Sequence, residues 1–184
     1  VLFKDDHPLA VAVNVVDDNM SGSQNMEVMI DTKVIDGMLD AELLVAVDDL
    51  QKTLEQRYPE TIGRTQSLAN IVKKTNQVMN DDDEDYYRIP ESSQAVSQLL
   101  YLFNSANPED RRGVVSDDYS RSHISVNSRN MGSYGYQQMF EEVAEIIDER
   151  FSPLKLKYPD LEIVLTGTMA TLMVVSDEIA RSQF

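Results

Sequence analysis

The sequence predicts an α/β (α+β) fold in which tandem β-α-β units form a ferredoxin-like split β-α-β sandwich, with extra helices. Three observations carry this. Asn25–Asp31 and Ser122–Ser128 alternate apolar and polar residues with period two, the mark of half-buried strands. Leu43, Val47, Leu50 and Leu54 recur at spacings of four, three and four, one stripe of a helix. The order strand, helix, strand then occurs twice, with further helices between, and two right-handed crossovers can interleave into one sheet.

Taken in order, Leu9–Val16 (LAVAVNVV) is Val-rich and reads as a possible strand, and Asp17–Gln24 (DDNMSGSQ) as a turn. Met26, Val28 and Ile30 place one face of the next strand inward. Asp40 is an N-cap for a helix over Ala41–Tyr58, with Glu42 in its first turn, Arg57 in its last, and Pro59 ending it. Asp48, Asp49, Gln51, Lys52 and Glu55 fall off its apolar stripe. Thr61–Gln66 is a short strand. Ser67 caps a helix through Leu68, Ile71, Val72, Val78 and Met79 to about Asn80. Five consecutive acids, Asp81–Asp85, belong in a solvated loop. Pro90 opens a helix to Phe103, with Val96, Leu99, Leu100 and Phe103 inward, and Asn107-Pro108 starts a turn. Ile124 and Val126 share a face of the third strand. Asn130–Tyr136, with two glycines, is a loop. Met139, Phe140, Val143, Ile146, Ile147 and Phe151 stripe a helix over Tyr136–Leu154. Leu161–Thr166 is the last strand, Gly167 a turn, and Met169–Phe184 helical in pattern.

Composition bounds the function. The 184 residues hold 32 acids against 16 bases, a formal charge of −16. Such a surface repels nucleic-acid phosphates and anionic lipid headgroups. The absence of cysteine excludes disulfides, thiol catalysis and thiolate metal sites. Ile163–Ser176 has fourteen residues without a charge and the longest uncharged run, Ser92–Pro108, has seventeen, against about 20 for a membrane span. There is no initiating Met and no signal-peptide pattern, and the helical pattern runs up to Phe184, so a piece of a longer protein is expected.

No constellation points to a reaction centre. Asp17–Gly22 begins like a calcium loop, but the bidentate Glu required at position twelve is Val28. Asp81–Asp85 lacks the glycines that would fix it around a cation. His7 and His123 stand alone, without metal-ligand spacing or a Gly-x-Ser-x-Gly elbow. Thr166-Gly167-Thr168 resembles an anion-binding helix start, but no phosphate-loop pattern accompanies it. Gly132-Ser133-Tyr134-Gly135-Tyr136 offers two tyrosines on a glycine loop, either as a contact surface or as a cap on the long helix. No enzyme activity, cofactor or metal is expected.

Several segments, in order, resemble the large extracytoplasmic loop of resistance-nodulation-division (RND) superfamily exporters of the MMPL-like, hydrophobe-exporting branch. They are Met20–Asp31 (MSGSQNMEVMID), Thr65–Asn76 (TQSLANIVKKTN), Tyr87–Glu91 (YRIPE), Asp117–Val126 (DDYSRSHISV), Val164–Met169 (VLTGTM) and Ser176–Gln183 (SDEIARSQ). The resemblance spans about residues 20–184 and implies three parts: a flanking segment, 1–24, after a membrane helix; a porter-like α/β domain, 25–166; and a helix, 167–184, leading to the next membrane helix. It implies a periplasmic domain of an integral inner-membrane protein, taking part in the efflux of lipids or other hydrophobic or amphiphilic compounds. The proton-relay residues would lie outside this chain. The implied partners are the transmembrane helices and second periplasmic loop of the parent, an adaptor or further copies, and the apolar substrate. Met131, Tyr134 and Tyr136 are the candidates for an exposed apolar lip of the substrate cleft. The alternative is a free-standing ferredoxin-like module that senses a small ligand.

Overall fold

The computed structural model describes residues 24–106, 108–129 and 132–167. Four strands, β1 (Gln24–Asp31), β2 (Ile62–Gln66), β3 (Arg121–Ser128) and β4 (Glu162–Thr166), form one sheet in the order β2-β3-β1-β4. Every neighbouring pair is antiparallel. The first crossover, through helix α1 (Ala41–Arg57), therefore returns parallel to β1 but one strand away. The second, through α5 (Gly132–Phe151), does the same between β3 and β4. The two units interleave as a split β-α-β, ferredoxin-like sandwich.

The alternation of side chains along a strand decides which face is covered. Met26, Val28 and Ile30 of β1 and Ile124 and Val126 of β3 are buried in one core with Leu43, Leu44, Val47, Leu50 and Leu54 of α1 and Met139, Val143 and Phe151 of α5. Asp40 caps α1 by accepting from the Glu42 N–H at 3.1 Å. Its second oxygen accepts from the Tyr158 hydroxyl at 2.8 Å and Lys157 at 2.7 Å. Burial works to raise the Asp40 pKa, but these donors outweigh it and hold the carboxyl low. The cap thus ties the start of α1 to the segment entering β4.

The connection from β2 to β3 is where the chain departs from a minimal sandwich. After Gln66 it leaves the sheet through α2 (Leu68–Met79), α3 (Ser93–Ala106) and α4 (Pro108–Arg112). It then rejoins the sheet beside β3: Val115 bridges Ser122, the Ser116 N–H donates to the Arg121 carbonyl at 2.9 Å, and the His123 N–H donates to the Val114 carbonyl at 3.3 Å. Gln66 pairs with Ser125 and Val115 with Ser122, so both pieces run in the same direction along β3. The edge strand is one row in two pieces, with the three helices inserted at the break.

This excursion changes the environment of α1. Asp48 and Gln51, which fall off the apolar stripe, are nevertheless buried, at 6% and 3% exposure. The excursion packs a second surface onto α1. Lys73 of α2 forms an ion pair with Asp48, and Lys52 reaches the other Asp48 oxygen at 2.7 Å. The Gln51 amide donates to Thr65 and Asn70, each at 2.9 Å, and its carbonyl accepts from Ser67 at 2.7 Å. Ser67 and Asn70 form the capping box of α2.

Two expectations change, one in the β2–β3 connection and one in the second crossover. Asn107-Pro108 is expected from the sequence to start a turn; Asn107 lies outside the described residues, and Pro108 begins the short helix α4. The glycine-containing segment read as a loop is the first turn of α5, which begins at Gly132. Two glycines cost a helix about 1 kcal/mol each, whereas burying Met139, Phe140 and Val143 is worth about 1.5–3 kcal/mol apiece. Packing wins over local propensity. The expected strand at 9–16 and helix at 169–184 lie outside the described residues, as do His7 and the calcium-like loop. No helix among the described residues is long and apolar enough to cross a membrane.

Candidate functional site

Among the described residues, no helix layer covers the sheet face opposite α1 and α5. Partners across the strands share a face, so its rows follow from the register. The central row is His123, Met29 and Val164; on one side lies Gln66, Ser125, Glu27 and Thr166, and on the other Arg121, Asp31 and Glu162. Met29 and Val164 form an apolar centre, with Val164 45% exposed. Lys33 bridges Asp31 and Glu162 at 2.9 and 2.8 Å and closes the charged end. The bonds to Asp31 and Glu162 keep the Lys33 ammonium protonated above its usual range.

At its β3 side this face runs into a groove of about 470 Å³ at the break in the edge strand. Its sheet side is Gln66, His123 and Ser125. Its helical side is Ile71 of α2, Phe103 of α3, and Glu109 and Asp110 of α4, with Gly113 and Val114 where the chain returns to the sheet. The volume falls within the range of about 300–1,000 Å³ usual for small-molecule sites.

A polar clamp fixes the return. Arg111, 6% exposed, donates to Asn104 Oδ1 at 2.9 Å, the Ser116 carbonyl at 3.2 Å and Asp117 Oδ1 at 2.5 Å. Its guanidinium lies over the Tyr119 ring, 5.2 Å from the centroid. Arg111, with help from Arg112, pulls the Asp117 pKa down. Asp118 accepts from the Ser116 hydroxyl at 2.6 Å, the Ser120 N–H at 3.1 Å and the Ser120 hydroxyl at 2.8 Å. These bonds lower its pKa to about 2. Tyr119 sits at φ 51°, the left-handed conformation that reverses the chain into β3. Gly37 packs against this turn through Thr32, whose hydroxyl donates to the Ser120 carbonyl at 2.8 Å.

Of the three residues expected at an exposed lip, only Tyr136 has a described side chain. Tyr136 is a correction: it is 3% exposed in the core, and its hydroxyl donates to the Arg129 carbonyl at 3.0 Å. The helical start of α5 turns it inward. Tyr134 lies in the first turn of α5, but its side chain is outside the described residues, as is Met131. His123, which the sequence leaves without a metal-ligand or catalytic partner, is half-buried on the open face and lines the groove. Gly167 makes the expected turn at φ 106°, where a Cβ would come within 2.8 Å of the Asn25 carbonyl oxygen. Among the described residues no cluster of His, Asp or Glu is arranged to hold a metal ion. The groove residues Ile71, Phe103 and Asp110 were missed as a set. The only signal was the length of the segment between β2 and β3, because their meeting depends on how the excursion folds back. No protein-family model matches the chain, and no curated protein is significantly similar to it.

Proposed function

We propose that the chain is the extracytoplasmic, porter-like domain of a proton-driven RND-type exporter, forming part of the path taken by lipids or other hydrophobic or amphiphilic compounds. The observation that carries this reading is the interleaved pair of β-α-β units, with one sheet face not covered by helices among the described residues, joined to the ordered resemblance across residues 20–184. A domain of this build moves as a rigid body, and its Met29–Val164 centre offers an apolar surface to substrate or to a facing domain. On this reading the domain lies on the outer face of a bacterial inner membrane, works with the membrane helices and second loop of its parent, and has no reaction centre of its own. Proton flow occurs elsewhere in the parent and is coupled to rocking of this domain.

The test has two parts. The parent reading frame should continue after Phe184 into an apolar run of about 20 residues. Cells carrying the parent should expel a fluorescent amphiphile in a protonophore-sensitive manner, and Val164→Arg on the open face should reduce that efflux at unchanged protein level. A polar continuation, or efflux indifferent to the protonophore, refutes the reading. The groove gives some weight to the alternative, a ligand-sensing module. That reading expects a discrete oligomer holding a ligand at its interface, and a monomer purified without ligand argues against it.

A further inference from the structure

We propose that the groove at the interrupted edge strand binds a small organic cation with a flat apolar body, such as an arylalkyl ammonium. This goes beyond the exporter reading and does not depend on it, since it concerns binding to this chain alone. Three features select that chemistry. Apolar surface comes from Phe103 and Ile71 of the excursion and from Val114 where the chain returns, facing the polar sheet side of Gln66, His123 and Ser125. The charged side chains of the lining are both carboxylates, Glu109 and Asp110. Arg112 pairs with Glu109 at 3.0 Å, and no ion pair engages Asp110 among the described residues. The nearest buried cation, Arg111, is already held by Asn104, Ser116 and Asp117. A cation entering the groove therefore meets net negative charge beside an aromatic ring, the combination that favours an ammonium over a neutral or anionic analogue.

The groove is also held open by construction. The break lies between Gln66, paired with Ser125, and Val114, whose carbonyl accepts from the His123 N–H, so the gap in the edge strand falls opposite Ile124 of β3. Gly113 contributes no side chain where the helix gives way to the strand. A Cβ there would meet only the Asp110 carbonyl oxygen at 3.4 Å, an ordinary contact. A larger side chain at 113 is thus tolerated by the backbone and would occupy the groove.

The experiment titrates the 184-residue chain with 1-naphthylmethylammonium, 1-naphthylmethanol and 1-naphthoate, following the His123 imidazole resonances by NMR. The expected result is saturable movement of those resonances with the ammonium, binding at least threefold weaker for the alcohol, and none for the carboxylate. Asp110→Asn should weaken the ammonium about three- to fivefold, as for one exposed charge, and leave the alcohol unchanged. Gly113→Leu should abolish binding of both. Because Phe103→Ala could disturb α3, Gly113→Leu and Asp110→Asn carry the test. Equal affinity for ammonium and alcohol, or binding that survives Gly113→Leu, overturns the proposal. Loss of efflux by the parent with this binding intact would count against the exporter reading only.

Discussion

The buried ion pair between α1 and α2 makes a prediction whose sign depends on the structure. Asp48 and Lys73 are each 8% exposed in their side chains, and Lys73 also lies over the Tyr87 ring, 4.8 Å from its centroid. Asp48 has a second cation, Lys52, at 2.7 Å; Lys73 has no second carboxylate among its ion pairs. Removing the acid leaves a buried ammonium with only an aromatic face. Asp48→Ala should therefore cost about 3–5 kcal/mol, the range for breaking a buried pair from one side. Lys73→Met keeps the apolar stem and leaves Asp48 paired with Lys52. Its cost should be that of one charged hydrogen bond, about 1.5–3 kcal/mol. The double variant Asp48→Leu/Lys73→Met removes both buried charges and orphans only Lys52, whose side chain is 58% exposed. It should be more stable than Asp48→Ala and lie within about 2 kcal/mol of the parent. Urea unfolding followed by far-ultraviolet circular dichroism gives all three differences. If Lys73→Met costs as much as Asp48→Ala, or the double variant is the least stable, the assignment of Asp48 as the shared anchor is wrong.

Further outcomes follow from the turn that returns the chain to the sheet. Gly37→Ala puts a methyl 2.3 Å from Thr32 Oγ1 and 2.7 Å from Thr32 Cβ. Overpacking and loss of the Thr32–Ser120 bond should together cost about 2–4 kcal/mol, read as a lower urea midpoint. Arg111→Met should cost about 1.5–3 kcal/mol and speed amide exchange at Ser116 and His123 more than in β1. The Asp118 pKa is depressed from 3.8 to about 2 in the folded chain. Its contribution is thus fully present above pH 4 and is lost as pH falls through 2. Asp118→Asn should then be less stable than the parent at pH 6, with the gap closing between pH 4 and pH 2. A gap that stays constant over that range would show that the carboxylate's charge is not what matters.

The periodicities determined a great deal by themselves. Alternation located β1 and β3, and the 3.6-residue stripes located the four long helices, because both reflect which side chains leave water when a single element packs on one surface. Asp40 and Ser67 were legible as caps because an N-cap is satisfied within its own turn. Element order was enough for the sandwich, since right-handed crossovers leave few ways to interleave two β-α-β units. What only the tertiary structure decided was everything that needs two distant segments to meet. The burial of Asp48 and Gln51 was not legible because the sequence shows only one apolar stripe on α1, and the surface that covers these off-stripe positions is folded from residues 67–80. Tyr136 went inward because the core outweighed two glycines. The groove exists because a strand was divided and three helices were inserted at the break. No residue along that strand records the division, which appears only once Val115 is seen opposite Ser122.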